Sequence, residues 1–232
     1  MRIILSFILL LFVLTACTVP NGTALAPVVD ARAQMAMQQG YYDVHRGETI
    51  YFIAWRLDAD PIRIAQANGL VAPYKVHAGE RLRIPRPGET ITPPKRQPGQ
   101  SRPARLPQLP NVPVGQWQWP TRGTVINNFS SQTNGINVAG PLGQSIVAAA
   151  SGEVVYSGNG LPSYGNVIII KNNDTYMSVY AHCQQIQVKE GQRVKAGQQI
   201  ATMGSSGTNR VMLHFEIRKR GKAVNPLQYL GH

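Results

Sequence analysis

The chain has 232 residues, with 23 Lys and Arg against 11 Asp and Glu, five His and two Cys. An apolar fraction of 43% supplies a packed core and excludes disorder throughout, while 22 Gly and 17 Pro argue against an all-helical bundle. Two cysteines exclude a disulfide framework and a four-cysteine zinc site, and the few histidines and acids leave little material for metal or acid–base chemistry.

Arg2 precedes an apolar run from Ile3 to Val13, broken only by Ser6. That length suits a signal-peptide core, whereas a membrane-spanning helix needs about 20 residues. The run ends in Leu14-Thr15-Ala16-Cys17, which resembles the bacterial lipobox. The resemblance implies removal of residues 1–16 and a lipid on Cys17. Two or three acyl chains anchor stably where one does not. Thr18, in place of Asp, implies delivery to the outer membrane, with the chain facing the periplasm. Cys183 is then the remaining thiol, and it reads as an inert, packed one.

Residues 17–40 read as a tether with some helix around Asp30–Gln39. Residues 41–86 form a first folded unit and 116–232 a second. Between them, 87–115 hold eight prolines from Pro87 to Pro113 with spaced basic residues. Such a linker is semi-rigid, about 3 Å per residue where it is polyproline-like. The basicity sits on this linker and the second unit. No nucleic-acid motif accompanies it, so anionic envelope polymers or an acidic protein fit better.

In the first unit, Tyr42–His45 reads as a strand and Ile50–Leu57 as a helix with Ile50, Ile53, Ala54 and Leu57 on one face. Asp60-Pro61 is an N-cap followed by Pro at the first helical position, and Asn68-Gly69 stops a second helix. Gly79–Ile84 returns as a strand, giving βααβ. The runs Tyr42-x-Val44-x-x-Gly47-Glu48-Thr49-Ile50, Asn68-Gly69-Leu70, Pro73-Tyr74 and Gly79-Glu80-x-Leu82-x-Ile84-Pro85 resemble a LysM domain. The resemblance implies binding of N-acetylglucosamine-containing glycan strands of peptidoglycan. The groove would lie between Gly47, Glu48, Thr49 and Ile50 on one loop and Asn68, Gly69, Leu70, Pro73 and Tyr74 on the other.

The second unit reads as all-β. Val167–Ile170 is apolar on both faces, as for a central buried strand. In Tyr176–His182, alternation puts Met177, Val179 and Ala181 on one face and Ser178, Tyr180 and His182 on the other. In Met212–Arg218, Leu213, Phe215 and Ile217 face a core, and Met212, His214 and Glu216 lie opposite. The matches Trp119-Pro120-x-x-Gly123, Tyr164-Gly165-Asn166, Tyr180-Ala181-His182, Gly191-Gln192-x-Val194-Lys195-x-Gly197 and Leu213-His214-Phe215-Glu216 resemble the LytM domain of peptidase family M23. Active members carry a zinc ion that polarises water to cut peptidoglycan cross-links.

This chain departs from the pattern where the chemistry lies. The His-x-Gly-x-Asp position reads Thr133-Asn134-Gly135-Ile136-Asn137, and the His-x-His position reads Met212-Leu213-His214. By the resemblance, one of three zinc ligands survives (His214), along with one of two catalytic histidines (His182). A catalytic zinc needs about three protein ligands plus water. The expectation is therefore a non-enzyme with no bound metal or cofactor. Thr133, Asn137, Tyr164, His182, Met212 and His214 would line a concave, partly apolar groove stripped of charge.

The whole arrangement resembles the NlpD-type family of outer-membrane lipoproteins that activate murein hydrolases. That resemblance implies an activator of periplasmic zinc-dependent N-acetylmuramoyl-L-alanine amidases in daughter-cell separation, the groove engaging the amidase. Two other classes stay open: a passive tether between outer membrane and peptidoglycan, and an M23 endopeptidase with unusual ligands.

Overall fold

The computed structural model describes residues 31–92 and 117–231. The lipobox with Cys17, most of the tether and most of the Pro-rich linker lie outside the described residues. No helix among the described residues is long and apolar enough to cross a membrane. Among the described residues the protein is mainly β, with its α-helices in the N-terminal part and a 3-10 turn at Pro226–Gln228.

Helix α1 (Ala31–Gln39) leads into β1 (Tyr41–Asp43), α2 (Ile50–Arg56), α3 (Pro61–Ala67) and β2 (Arg81–Arg83). β1 and β2 pair antiparallel, with Tyr42 opposite Leu82. The N-caps follow the sequence. Thr49 accepts from the Phe52 N–H, and Asp60 accepts from the Ile62 N–H ahead of Pro61. Regular pairing is shorter than the apolar patterns suggested, although single backbone bonds carry the contact on at Val44–Glu80, Gly79–Val44 and Ile84–Gly40.

The second part opens with β3 (Thr124–Asn127), β4 (Ile136–Ala139), β5 (Ser145–Val147), β6 (Gly152–Gly158) and β7 (Asn166–Lys171). It continues with β8 (Tyr176–Ile186), β9 (Arg193–Val194), β10 (Gln199–Met203), β11 (Met212–Lys219) and β12 (Lys222–Val224). The main sheet runs β3-β4-β11-β8-β7-β6-β9, with β12 beside β11 and β10 bridging β5 and β8. β7 and β8 are joined at Asn172–Asp174, where the Asn173 side chain accepts from the Thr175 and Tyr176 N–H groups.

One face of this sheet closes over its own core, which includes Ile168, Ile170, Tyr180, Leu213, Phe215 and Ile217. The Tyr180 hydroxyl is satisfied inside it, accepting from the Ala149 N–H and donating to Ser178. The other face is apolar too, and the LysM-like part covers it. Tyr156, Val167, Ile169, Met177, Val179 and Ala181 share one buried cluster with Phe52, Trp55, Ile64 and Leu82. The two folded units read from the sequence are thus docked. A strand apolar on both faces needs two covers, and β7 has them.

Candidate functional site

Strand β11 positions the site. His214 pairs with Asn137 on β4 and with Ala181 on β8. Its Nδ1 lies 2.7 Å from Asn137 Oδ1 and its Nε2 lies 3.0 Å from Glu216 Oε1. The Asn137 amide is held from behind, donating to Asn127 Oδ1 at 3.2 Å. Gly135 is the reason β4 approaches so closely: an added Cβ would overlap the Phe215 carbonyl oxygen and stand 3.0 Å from His214 Cε1.

His182 reaches the same place by a different route. Strict alternation put it with Tyr180, whose ring lies in the core against Phe215. Instead His182 has a φ of 62°, the left-handed region, which rotates it out of register. Its ring comes within 6.2 Å of the His214 ring, while Cys183 takes the inward position. Nδ1 sits 2.8 Å from the Ser206 carbonyl oxygen. The Cys183 thiol is buried, and burial pushes its pKa up to about 12, as for an inert side chain.

Charge has not left the cleft, contrary to the sequence reading. Glu216 is fully buried and accepts from Arg218 Nε at 2.6 Å. Arg218 in turn donates to Asp58 at 2.9 Å and to the Trp55 carbonyl at 3.3 Å. Burial alone would raise the Glu216 carboxyl. Arg218 and the His214 hydrogen bond outweigh it and hold the pKa at about 2. At the His182 ring burial prevails instead: with His214 nearby, it lowers the pKa to about 4 against the Ser206 bond.

These shifts give stability a definite pH dependence. Between its ordinary value of 6.5 and about 4, His182 takes up a proton in the unfolded chain but not in the folded one. Stability is therefore expected to fall as pH drops through that window, by about 2–3 kcal/mol in all. The Glu216 contribution is complete above pH 4.5 and is lost only as pH falls further toward 2. Thermal unfolding of the chain and of His182→Gln from pH 7 to 4 checks this. The variant should show a flatter profile above pH 4.5.

Tyr164 stands between the two parts, 5.5 Å from the His214 ring and 4.8 Å from the Trp55 ring. Burial raises its hydroxyl pKa, and Asn134 hydrogen-bonds it. Asn137, Tyr164, His182 and His214 are thus brought together. Thr133 and Met212 are less directly involved. The Thr133 hydroxyl accepts from the Ser130 N–H at 2.8 Å and lies 3.1 Å from the Asn128 and Gly135 carbonyls, so it braces its own loop. Met212 is buried at the start of β11, its N–H donating to the Gly204 carbonyl. Among the described residues, no group of three or more His, Cys, Asp or Glu is placed to hold a metal ion.

Sequence reasoning missed Trp55, Arg218 and the structural weight of Glu216. Trp55 Nε1 donates to Glu216 Oε2 at 3.0 Å across the docked surface. The signal available was Glu216 and Arg218 two apart on the His214 face of β11.

In the LysM-like part, Glu48 is committed to the fold: it accepts from the Tyr42 hydroxyl, Arg56 and the His45 N–H. Asn68 likewise binds the Arg83 N–H and carbonyl, fastening α3 to β2. Ile50 is buried, and the Thr49 hydroxyl donates to the Val155 carbonyl of β6 at 2.9 Å. Gly47, Gly69 and Pro73 are exposed, while Leu70 and Tyr74 are half-buried.

A β domain carrying this histidine–asparagine–glutamate cluster, joined to a βααβ module, is a LysM protein with an M23-type domain. Residues 42–85 match the LysM domain model and residues 131–226 match the model of peptidase family M23. The chain is 39% identical over 249 aligned positions to the lipoprotein NlpD/LppB homolog of Pseudomonas aeruginosa, covering 90% of this chain and 82% of that one. It is 37% identical to the murein hydrolase activator NlpD of Escherichia coli, over 82% of this chain and 67% of that one. It is also 36% identical to the outer membrane antigenic lipoprotein B of Haemophilus influenzae, covering 90% and 68%. The chain belongs to the NlpD/LppB lipoprotein family.

Proposed function

We propose that this chain is a non-catalytic activator of periplasmic zinc-dependent N-acetylmuramoyl-L-alanine amidases. Its LysM module holds peptidoglycan glycan strands, and a lipid on Cys17 holds it to the outer membrane. The carrying observation is the state of His214. Both of its ring nitrogens are engaged by protein oxygens, Asn137 Oδ1 and Glu216 Oε1. A zinc ligand needs a free imidazole lone pair, and the M23 fold would call for two further donors here. Thr133 offers a hydroxyl tied to its own loop, and Asn137 offers a neutral amide. The residues do not fit zinc, so no hydrolytic step is derived through it. The names of the relatives, as murein hydrolase activators and lipoproteins, support the same role and envelope location.

An activator acts by binding one state of its partner better than another, which shifts the partner's population toward that state. The cleft is the surface assigned to that task. Glycan and membrane anchoring raise the local concentration at the wall.

The test is release of labelled peptidoglycan by the mature chain, alone and with each periplasmic amidase of the same bacterium. Release only with an amidase is the expected result, and Met212→Ala with His214→Ala should abolish it. Release by the chain alone, stopped by a chelator, would make it an endopeptidase. Glycan binding without any effect on amidases would make it a passive tether.

A further inference from the structure

The LysM module sits on the side of the cleft formed by Tyr164, Glu216 and Arg218. Four side chains of α2 and its flanks, Thr49, Phe52, Trp55 and Asp58, carry six of the docking contacts. Thr49 donates to the Val155 carbonyl, and the Phe52 ring stacks on Tyr156 with centroids 4.3 Å apart. Trp55 packs edge-on against Tyr164 and donates to Glu216. Asp58 takes Arg218 at 2.9 Å and Lys222 at 2.6 Å. Trp55 is 3% exposed and Phe52 1%. Tyr164 and Glu216, which both contact His214 on this face, are thus both in use.

We propose that the LysM module is a built-in cover for the partner-binding cleft, and that amidase and LysM module exclude one another there. The inference rests on the activator reading. The cover also describes what displaces it. Phe52, Trp55 and Asp58 follow one another at three-residue spacing, two aromatic rings and then an acid. The sheet offers each a dedicated partner: an aromatic face, a buried carboxylate that accepts an indole N–H, and the Arg218–Lys222 pair. A partner segment fitting this surface carries an aromatic donor and an acid in the same order. A buried carboxylate strongly favours such a donor, because an unmet acceptor there is costly.

Closure lowers apparent affinity by the fraction of molecules that are open. Undocking variants should therefore bind an amidase at least about tenfold more tightly. Two variants act from opposite sides. Asp58→Lys sets a cation against Arg218 and Lys222. Gly221→Asn keeps a residue that tolerates the local φ of 81° but places a Cβ against the Ala59 carbonyl and the Asp60 N–H.

The experiment uses the full mature chain, with the Trp55 indole N–H resonance reporting docking. It is titrated with an inactive periplasmic amidase of the same bacterium. The expected result is a shifted Trp55 resonance in either variant without amidase, tighter amidase binding by both, and the same shift in the wild-type chain when the amidase binds. Undocking without a gain in affinity would overturn the proposal. So would amidase binding that leaves the wild-type Trp55 resonance unmoved. If neither chain binds any amidase although the variants shift Trp55, the activator reading itself fails, and this proposal with it.

Discussion

Replacing Glu216 by Ala is expected to cost about 3–5 kcal/mol of folding stability, among the largest effects available in this chain. The change leaves Arg218 buried, with its closest carboxylate gone and only Asp58 remaining as an ionic partner. It also leaves the Trp55 indole and one His214 nitrogen without their acceptor. Arg218→Met should be damaging for the mirror reason, since the carboxylate then stands in a dry site without its cation. The double variant Glu216→Leu, Arg218→Met removes both charges and should recover the part of the loss that comes from an unpaired buried charge, while the Trp55 and His214 bonds stay lost. A double-mutant cycle by chemical denaturation measures the coupling. Additive single losses would show that the pair is not a unit.

A second large effect is expected from a single methyl group. Gly135→Ala places a Cβ inside the van der Waals envelope of the Phe215 carbonyl oxygen and within 3.0 Å of Glu216 Cγ. Both neighbours are held, one by the sheet and one by its ion pair, so β4 must move instead. The cost is about 1–3 kcal/mol, as for overpacking elsewhere. The Asn137–His214 bond should be lost with it. Denaturation midpoints together with the His214 ring resonances check both parts. An unchanged His214 environment would show that β4 absorbs the methyl without separating from β11.

Much of this architecture was legible in the sequence because local signals agreed. Asp60 caps the helix it precedes, and the alternation in Met212–Arg218 divides core from cleft. Alternation alone put His182 on the core face, although the resemblance put it in the groove, because alternation assumes regular backbone. One left-handed residue between Tyr180 and Cys183 reverses the inference, and no composition signal marks a histidine in that conformation. The cleft's charge was missed because counting acids does not reveal which one is paired and buried. Docking of the LysM module left a trace in the apolar second face of β7 and β8. That trace says a cover exists without saying which segment supplies it. Complementarity between Trp55 and Glu216, 161 residues apart, is a property of the folded surface alone.

Thr49 lies in the loop assigned to glycan contact, and its hydroxyl also bonds Val155 across the docked surface. On that assignment, together with the proposed cover, two binding events on one chain meet at a single side chain. Thermodynamic reciprocity then fixes their relation: whatever factor a glycan strand gains from an undocked module, a cleft ligand gains from the presence of that strand. On the proposed activator and cover readings, such a chain responds most strongly where cell wall and hydrolase coincide, behaving as a coincidence detector rather than a simple anchor.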